Sequence, residues 1–204
     1  SKGVITVDRT DLNDMKREFA TTRTELRTLA DAMREADVLV GLSKGGMVSQ
    51  EMVRSMAARP IIFALANPTP EISYEEAKAA NPEVLMSTGR TDYPNQINNV
   101  LAFPYIFRGA LDTHATAING AMELAATRAI AALAKQPVPD YVNEAYGTTG
   151  LTFGPDYFIP KPVDRRLIVE VSTAVARAAI ESGVARHTIT DWDAYAEHLT
   201  SLLD

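Results

Sequence analysis

Three short apolar runs, each released into a polar turn, constrain this chain more than any other feature: Asp37-Val-Leu-Val-Gly-Leu42, Pro60-Ile-Ile-Phe-Ala-Leu-Ala66 and Val84-Leu-Met86. The first two do not alternate apolar with polar residues, which is the pattern of strands covered on both faces. Helical stretches separate the runs. Ser49 starts one that carries Met52, Val53 and Met56 on its apolar positions and ends at Pro60, and Tyr74–Ala80 makes a second. The order strand, helix, strand, helix, strand with short connections predicts a parallel sheet with right-handed crossovers. In such sheets ligands sit outside the carboxyl ends of the strands. The turns at Ser43, Asn67 and Ser87–Asn99 all fall there.

The rest of the chain reads as helix and connection. Gly3–Val7 is β-prone, Asp11 or Asn13 is placed to cap a helix through Met15 and Phe19, and Glu25–Glu35 carries Leu26, Leu29, Ala30 and Met33 on one face. Beyond Phe103, Thr116–Leu133 predicts a helix with Ile118, Met122, Ala125, Ala129 and Leu133 inward. Lys135–Asp164, with five prolines, predicts an extended arm. Helices follow over about Asp164–Ser182, stopped by Gly183, and Asp191–Leu203. The expected fold class is therefore α/β, a partial Rossmann-like parallel sheet with flanking helices and a helical carboxyl-terminal extension.

Composition excludes several functions. With 204 residues, 46% of them apolar, the chain can bury a core. A formal charge of -6, with no basic run interleaved with aromatics, argues against nucleic acid as a partner. There is no cysteine, hence no disulfide or thiolate metal site, and no apolar run long enough to span a membrane. This pattern fits a cytoplasmic protein. His114, His187 and His198 have no metal-ligand spacing, and no serine sits in a nucleophile elbow.

What remains is a set of neutral and backbone groups at the three turns. Asn95, Gln96, Asn98 and Asn99 each offer a donor and an acceptor that do not titrate, suited to orienting a carboxylate or hydroxyl. The same amides can equally cap the helix after Pro104 and bond their own backbone. Gly41-Leu-Ser43 with Gly45-Gly46 can admit a ribose or phosphate close to the backbone, or form a tight turn with no ligand. Asn67, followed by Pro68, can present its amide at a strand end. Arg90 with Asp92, and Arg108 with Asp112, read as stabilising ion pairs. Gly147-Thr-Thr-Gly150 lacks the strand-then-helix context of an anion loop and reads as packing.

Several blocks taken together resemble one family. Asp37–Ser43, Arg59-Pro-Ile-Ile-Phe-Ala-Leu-Ala-Asn-Pro-Thr69, Ser87-Thr-Gly-Arg90, Tyr93-Pro-Asn-Gln-Ile-Asn-Asn-Val-Leu-Ala-Phe-Pro104 and Phe107–Asp112 match, in order and spacing, the dinucleotide-binding domain of malic enzymes. Phe153-Gly-Pro-Asp-Tyr-Phe-Ile-Pro-Lys-Pro162 is similar to the carboxyl-terminal part of the bacterial type. The resemblance implies oxidation of malate with NAD or NADP and decarboxylation to pyruvate with a divalent metal, Mg or Mn. It assigns Asn67, Asn98 and Asn99 to the substrate, and Gly41, Ser43, Asn67 and Asn99 to the cofactor. It divides the chain into an incomplete NAD(P)-binding domain over 1–135 and an arm with carboxyl-terminal helices over 136–204.

The family's catalytic tyrosine and lysine, its acidic metal ligands and its glycine-rich cofactor loop have no counterpart in these residues. The resemblance thus implies a truncated chain, inactive by itself, that needs an amino-terminal part of the same protein as partner. A homo-oligomer is expected. The alternative is a non-catalytic nucleotide-binding or assembly module of the same fold.

Overall fold

Strands β1 (Val38–Gly41), β2 (Ile61–Ala64) and β3 (Leu85–Thr88) run parallel in the order β1-β2-β3. Their register pairs Val38 with Ile61 and Ile61 with Leu85, and continues to Gly41, Ala64 and Thr88. The α/β expectation is borne out in this computed structural model, which describes residues 3–203. Contacts divide the chain into two compact units, Ser1–Gly89 and Arg90–Asp204. The expected division near residue 135 concerned where the nucleotide-binding segment ends, a different kind of boundary.

In the first unit, short helices α1 (Asp14–Arg17), α2 (Leu29–Met33), α3 (Gln50–Arg54) and α4 (Tyr74–Ala80) accompany the strands. The starts of the last three are written in side chains. Thr28 and Ser73 each form a capping box, with Asp31 and Glu76, and the Ser49 hydroxyl accepts from the Met52 amide. Met33, Val53, Met56 and Ala77 then pack with Ile62, Ala64, Val84 and Met86 in one core.

Some expectations fail here. The run Gly3–Val7 makes only an isolated bridge, Thr6 to Thr21. The helix through Met15 and Phe19 is a single turn that buries nothing, and both side chains are exposed. Without an apolar partner, a four-residue helix has no reason to propagate. The helix expected over Glu25–Glu35 begins only after Thr28, because that cap sets its start. β1 is not covered on both sides: Val38, Val40 and Leu42 are exposed, and β1 is an edge of the sheet among the described residues.

The second unit is helical: α5 (Tyr105–Asp112), α6 (Gly120–Leu133), α7 (Asp140–Ala145), α8 (Arg166–Glu181) and α9 (Trp192–Ser201). α8 is its centre and buries Leu167, Val171, Val175 and Ala179 against Met122, Ala126 and Leu133 of α6. At Gly109 of α5 a Cβ would lie 2.5 Å from the Ser172 carbonyl oxygen, so only glycine lets the two helices approach this closely. α9 closes the other side through Tyr195 and Leu199 against Ile168 and Ala176.

α6 starts four residues later than expected because Asn119 caps it, accepting from the Met122 amide. Ala126, not Ala125, faces inward. The expected arm contains α7, because its prolines stand outside residues 140–154 and Pro139 precedes the first turn, where a missing amide hydrogen is harmless. A buried Asp164 ties this region together. Its carboxylate accepts from the Arg166 guanidinium at 2.7 Å and from the Tyr141 hydroxyl at 3.2 Å, and Arg166 also donates to the Pro137 carbonyl at 3.0 Å.

Candidate functional site

In the first unit the turns after β1 and β2 are locked by a residue that sequence reasoning missed. Glu71 is buried, and its two carboxylate oxygens accept from the Ser43 and Ala66 amides, each at 3.1 Å. Its backbone carbonyl accepts from the Val48 amide, and that of Pro70 from the Gly46 amide. A Cβ at Gly41 would sit 2.4–2.8 Å from the Glu71 carboxyl group. The glycine at that strand end therefore makes room for Glu71, and the Ser43 amide is already bonded. The only sequence signal was an acid just after the Asn-Pro-Thr-Pro turn, which reads as solvent-facing until its burial is seen.

Beside this lock lies a cleft of about 790 Å³, bordered by Val4, Arg27 and Leu29 on one side and by Val40, Gly41, Leu42 and Ser43 on the other. That volume is ordinary for a cofactor or substrate pocket. Gly46, with φ +70°, would have open space around a Cβ, and Lys44 is exposed. Asn67 stands exposed at the carboxyl end of β2, with its side-chain oxygen 3.4 Å from where a Cβ of Gly89 would be. Two of the predicted turns thus meet at that sheet end.

In the second unit the four amides separate into different tasks. Asn95 is buried at φ 54°, donates to the Pro155 carbonyl at 2.7 Å and accepts from the Phe158 amide at 2.8 Å, which pins the arm to the loop. Gln96 is buried beside it. Asn98 caps a 3-10 turn over Asn99–Leu101, its side-chain oxygen accepting from the Val100 amide at 3.1 Å. Asn99 is exposed and lines a shallow groove with Ala102, Phe103, Ile106 and Phe107.

Both expected ion pairs form. Arg90 and Asp92 meet at 2.7 Å, and hydrogen bonding from that guanidinium lowers the Asp92 pKa. Arg108 pairs with Asp112, which also accepts from the Tyr195 hydroxyl at 2.7 Å, and burial together with that bond pushes the Tyr195 phenol upward. Folding brings His114 and His187 to 5.7 Å between ring centroids, a proximity that spacing in the chain does not disclose. Gly147 and Gly150 take left-handed conformations in a turn closed by the Thr148 amide on the Asn143 carbonyl. Lys161 is buried with its ammonium 4.5 Å from the centroid of the Tyr146 ring, and desolvation lowers its pKa. Among the described residues no group of three or more His, Asp or Glu is placed to hold a metal.

A parallel sheet with polar turns gathered at its carboxyl ends defines an α/β protein of the ligand-crevice type. The chain belongs to the malic enzyme family: residues 1–143 match the family described as malic enzyme, NAD binding domain. The NADP-dependent malic enzyme of Haemophilus influenzae is 55% identical over 204 residues, covering all of this chain and 27% of that protein. An NAD-dependent malic enzyme of Rhizobium meliloti is 49% identical over 198 residues, covering 97% of this chain and 26% of that protein. The crystal structure of Entamoeba histolytica malic enzyme superposes with a TM-score of 0.81 at 35% identity, over 99% of this chain and 41% of that one. The chain thus spans about a quarter of the length of these curated relatives. No helix among the described residues is long and apolar enough to cross a membrane.

Proposed function

We propose that this chain provides cofactor and substrate contacts for the oxidative decarboxylation of malate to pyruvate in a cytoplasmic, oligomeric protein of family length. The observation that carries this reading is Asn67, a neutral amide exposed at the carboxyl end of β2 in a chain of the malic enzyme family. NAD or NADP, when bound, supplies the hydride acceptor.

In this reading Gly41, Ser43, Asn67 and Asn99 contact the cofactor, and Asn67, Asn98 and Asn99 the substrate. The nucleotide-binding segment ends near residue 135, and residues 136–204 extend it. Carboxamides suit the task because they hold a carboxylate and a hydroxyl in fixed orientation without competing for the proton. Asn99 can use both its donor and its acceptor in this way, whereas Asn98 spends its oxygen on the Val100 amide and offers its N–H groups. The tyrosine and lysine that move protons, and the acidic ligands of Mg or Mn, belong to the amino-terminal part of the protein, so the chain alone turns over no malate. No step through the metal is assigned to residues of this chain.

The test is kinetic. In a full-length enzyme carrying this stretch, Asn99→Ala is expected to raise KM for malate and to lower kcat/KM by roughly tenfold or more, with folding intact by circular dichroism. Wild-type kinetics in a folded variant would remove Asn99 from the site.

A further inference from the structure

The reading of the malate site leaves one pair of side chains unused. His114 follows the end of α5 and His187 lies between α8 and α9, and folding sets their rings 5.7 Å apart between centroids with 39° between the ring planes. The backbone fixes that meeting. The Arg186 and His187 amides both donate to the Thr113 carbonyl at 3.0 Å, and the Thr116 amide donates to the Val184 carbonyl at 2.9 Å. Asn119 Nδ2 donates to Ser182 Oγ at 3.0 Å, so the two loops are fastened at several points. Both histidines are exposed, and their ring nitrogens bond no group of the described residues.

We propose that His114 and His187 together bind one divalent ion of the zinc, nickel or copper class, with water completing its coordination. Neutral imidazole is the usual nitrogen ligand for such ions. Two imidazoles on one zinc, each nitrogen about 2.0–2.1 Å from the metal, hold their ring centroids roughly 5–6 Å apart. The spacing here falls inside that range, and rings placed in advance by the backbone bind without the cost of gathering them. The ion differs in kind from Mg or Mn, which take oxygen ligands, whereas this pair offers only nitrogen. No third His, Asp or Glu among the described residues joins the pair, so the site is open and exchangeable. Arg186, next to His187 in the chain, opposes a second positive charge and keeps it weak. A bound ion ties the end of α5 to the connection between α8 and α9, and stabilises the helical unit in proportion to its occupancy.

Titration with Zn(II) and Cu(II) tests it on the 204-residue chain after treatment with EDTA. Calorimetry is expected to show Zn(II) bound, and the Cu(II) complex to show two nitrogen donors in its electron paramagnetic resonance spectrum. His114→Asn, which suits the φ of 47° at that position, and His187→Gln are each expected to weaken Zn(II) binding by roughly tenfold or more, with folding intact by circular dichroism. His198→Gln, on α9, is expected to bind as the parent does. Zn(II) should also raise the melting temperature of the parent, and Mg(II) at the same concentration should not. No binding by the parent, or binding that survives in either single variant, would overturn the proposal. An equal rise in melting temperature with Mg(II) would reduce the effect to screening of the chain's negative charge and defeat it as well.

Discussion

The two units solve the problem of stability differently. The helical unit is built around α8, which is packed on by α5, α6 and α9 and buries residues from Leu167 to Ala179. The sheet unit has no such centre. Its strands are four residues long, its edge strand keeps an apolar row in water, and the two turns at the carboxyl ends of β1 and β2 are held by one buried carboxylate. The contrast teaches where each unit is vulnerable. The second should be sensitive both to packing faults along α8 and to loss of the buried Asp164 carboxylate, and the first to loss of the one carboxylate that holds its turns.

The largest effect tests whether the helical unit depends on packing alone. Asp164→Ala leaves the Arg166 guanidinium without its buried partner and is expected to destabilise by about 3–5 kcal/mol in chemical denaturation. A loss below about 1 kcal/mol would mean that α8 holds its end by apolar contact only. Gly109→Ala comes next: its methyl group meets the Ser172 carbonyl and the Val175 side chain, and overpacking costs about 1–3 kcal/mol. In the sheet unit, Glu71→Ala strips the Ser43 and Ala66 amides of their acceptor, with an expected loss of about 1–3 kcal/mol. Hydrogen exchange should quicken at residues 42–48 and 66–72, while Glu71→Gln, which keeps one carbonyl oxygen, falls between. Unchanged exchange in the alanine variant would show that the turns hold without the carboxylate.

Lys161 sharpens the comparison by pH. Burial lowers its folded pKa below that of an unfolded lysine, about 10.4, so between the two values the unfolded chain holds more protons. Stability contributed at this position therefore rises with pH through that window. Lys161→Met should remove the rise and leave neutral-pH stability within about 1 kcal/mol of the parent or above it. The smallest effect is expected at the exposed Arg90–Asp92 pair, where Arg90→Ala should cost less than about 1 kcal/mol and fade further in salt.

The parts legible in the sequence were those fixed by local chemistry. β2, β3 and Tyr74–Ala80 emerge close to their expected bounds because apolar runs, prolines and the Ser73–Glu76 capping box act within a few residues. The family was legible too, since several motifs stand in order along the chain. Glu71 was not, because its burial depends on the space left by a glycine thirty residues earlier in the chain. Asn95 was read as a ligand-orienting amide like its neighbours, yet it is spent on the arm at Pro155 and Phe158, a pairing across sixty residues. α1 shrank and α7 appeared for the same reason: a helix lasts where its face finds something to cover.

The row Val38, Val40, Leu42 has a practical consequence for anyone handling the chain by itself. It carries neither the lysine nor the proline with which sheets usually blunt an outer strand, so concentrated samples are prone to strand-on-strand accretion. Storage at low concentration, or a Val40→Lys variant for biophysical work, addresses the flank at which such clumping begins.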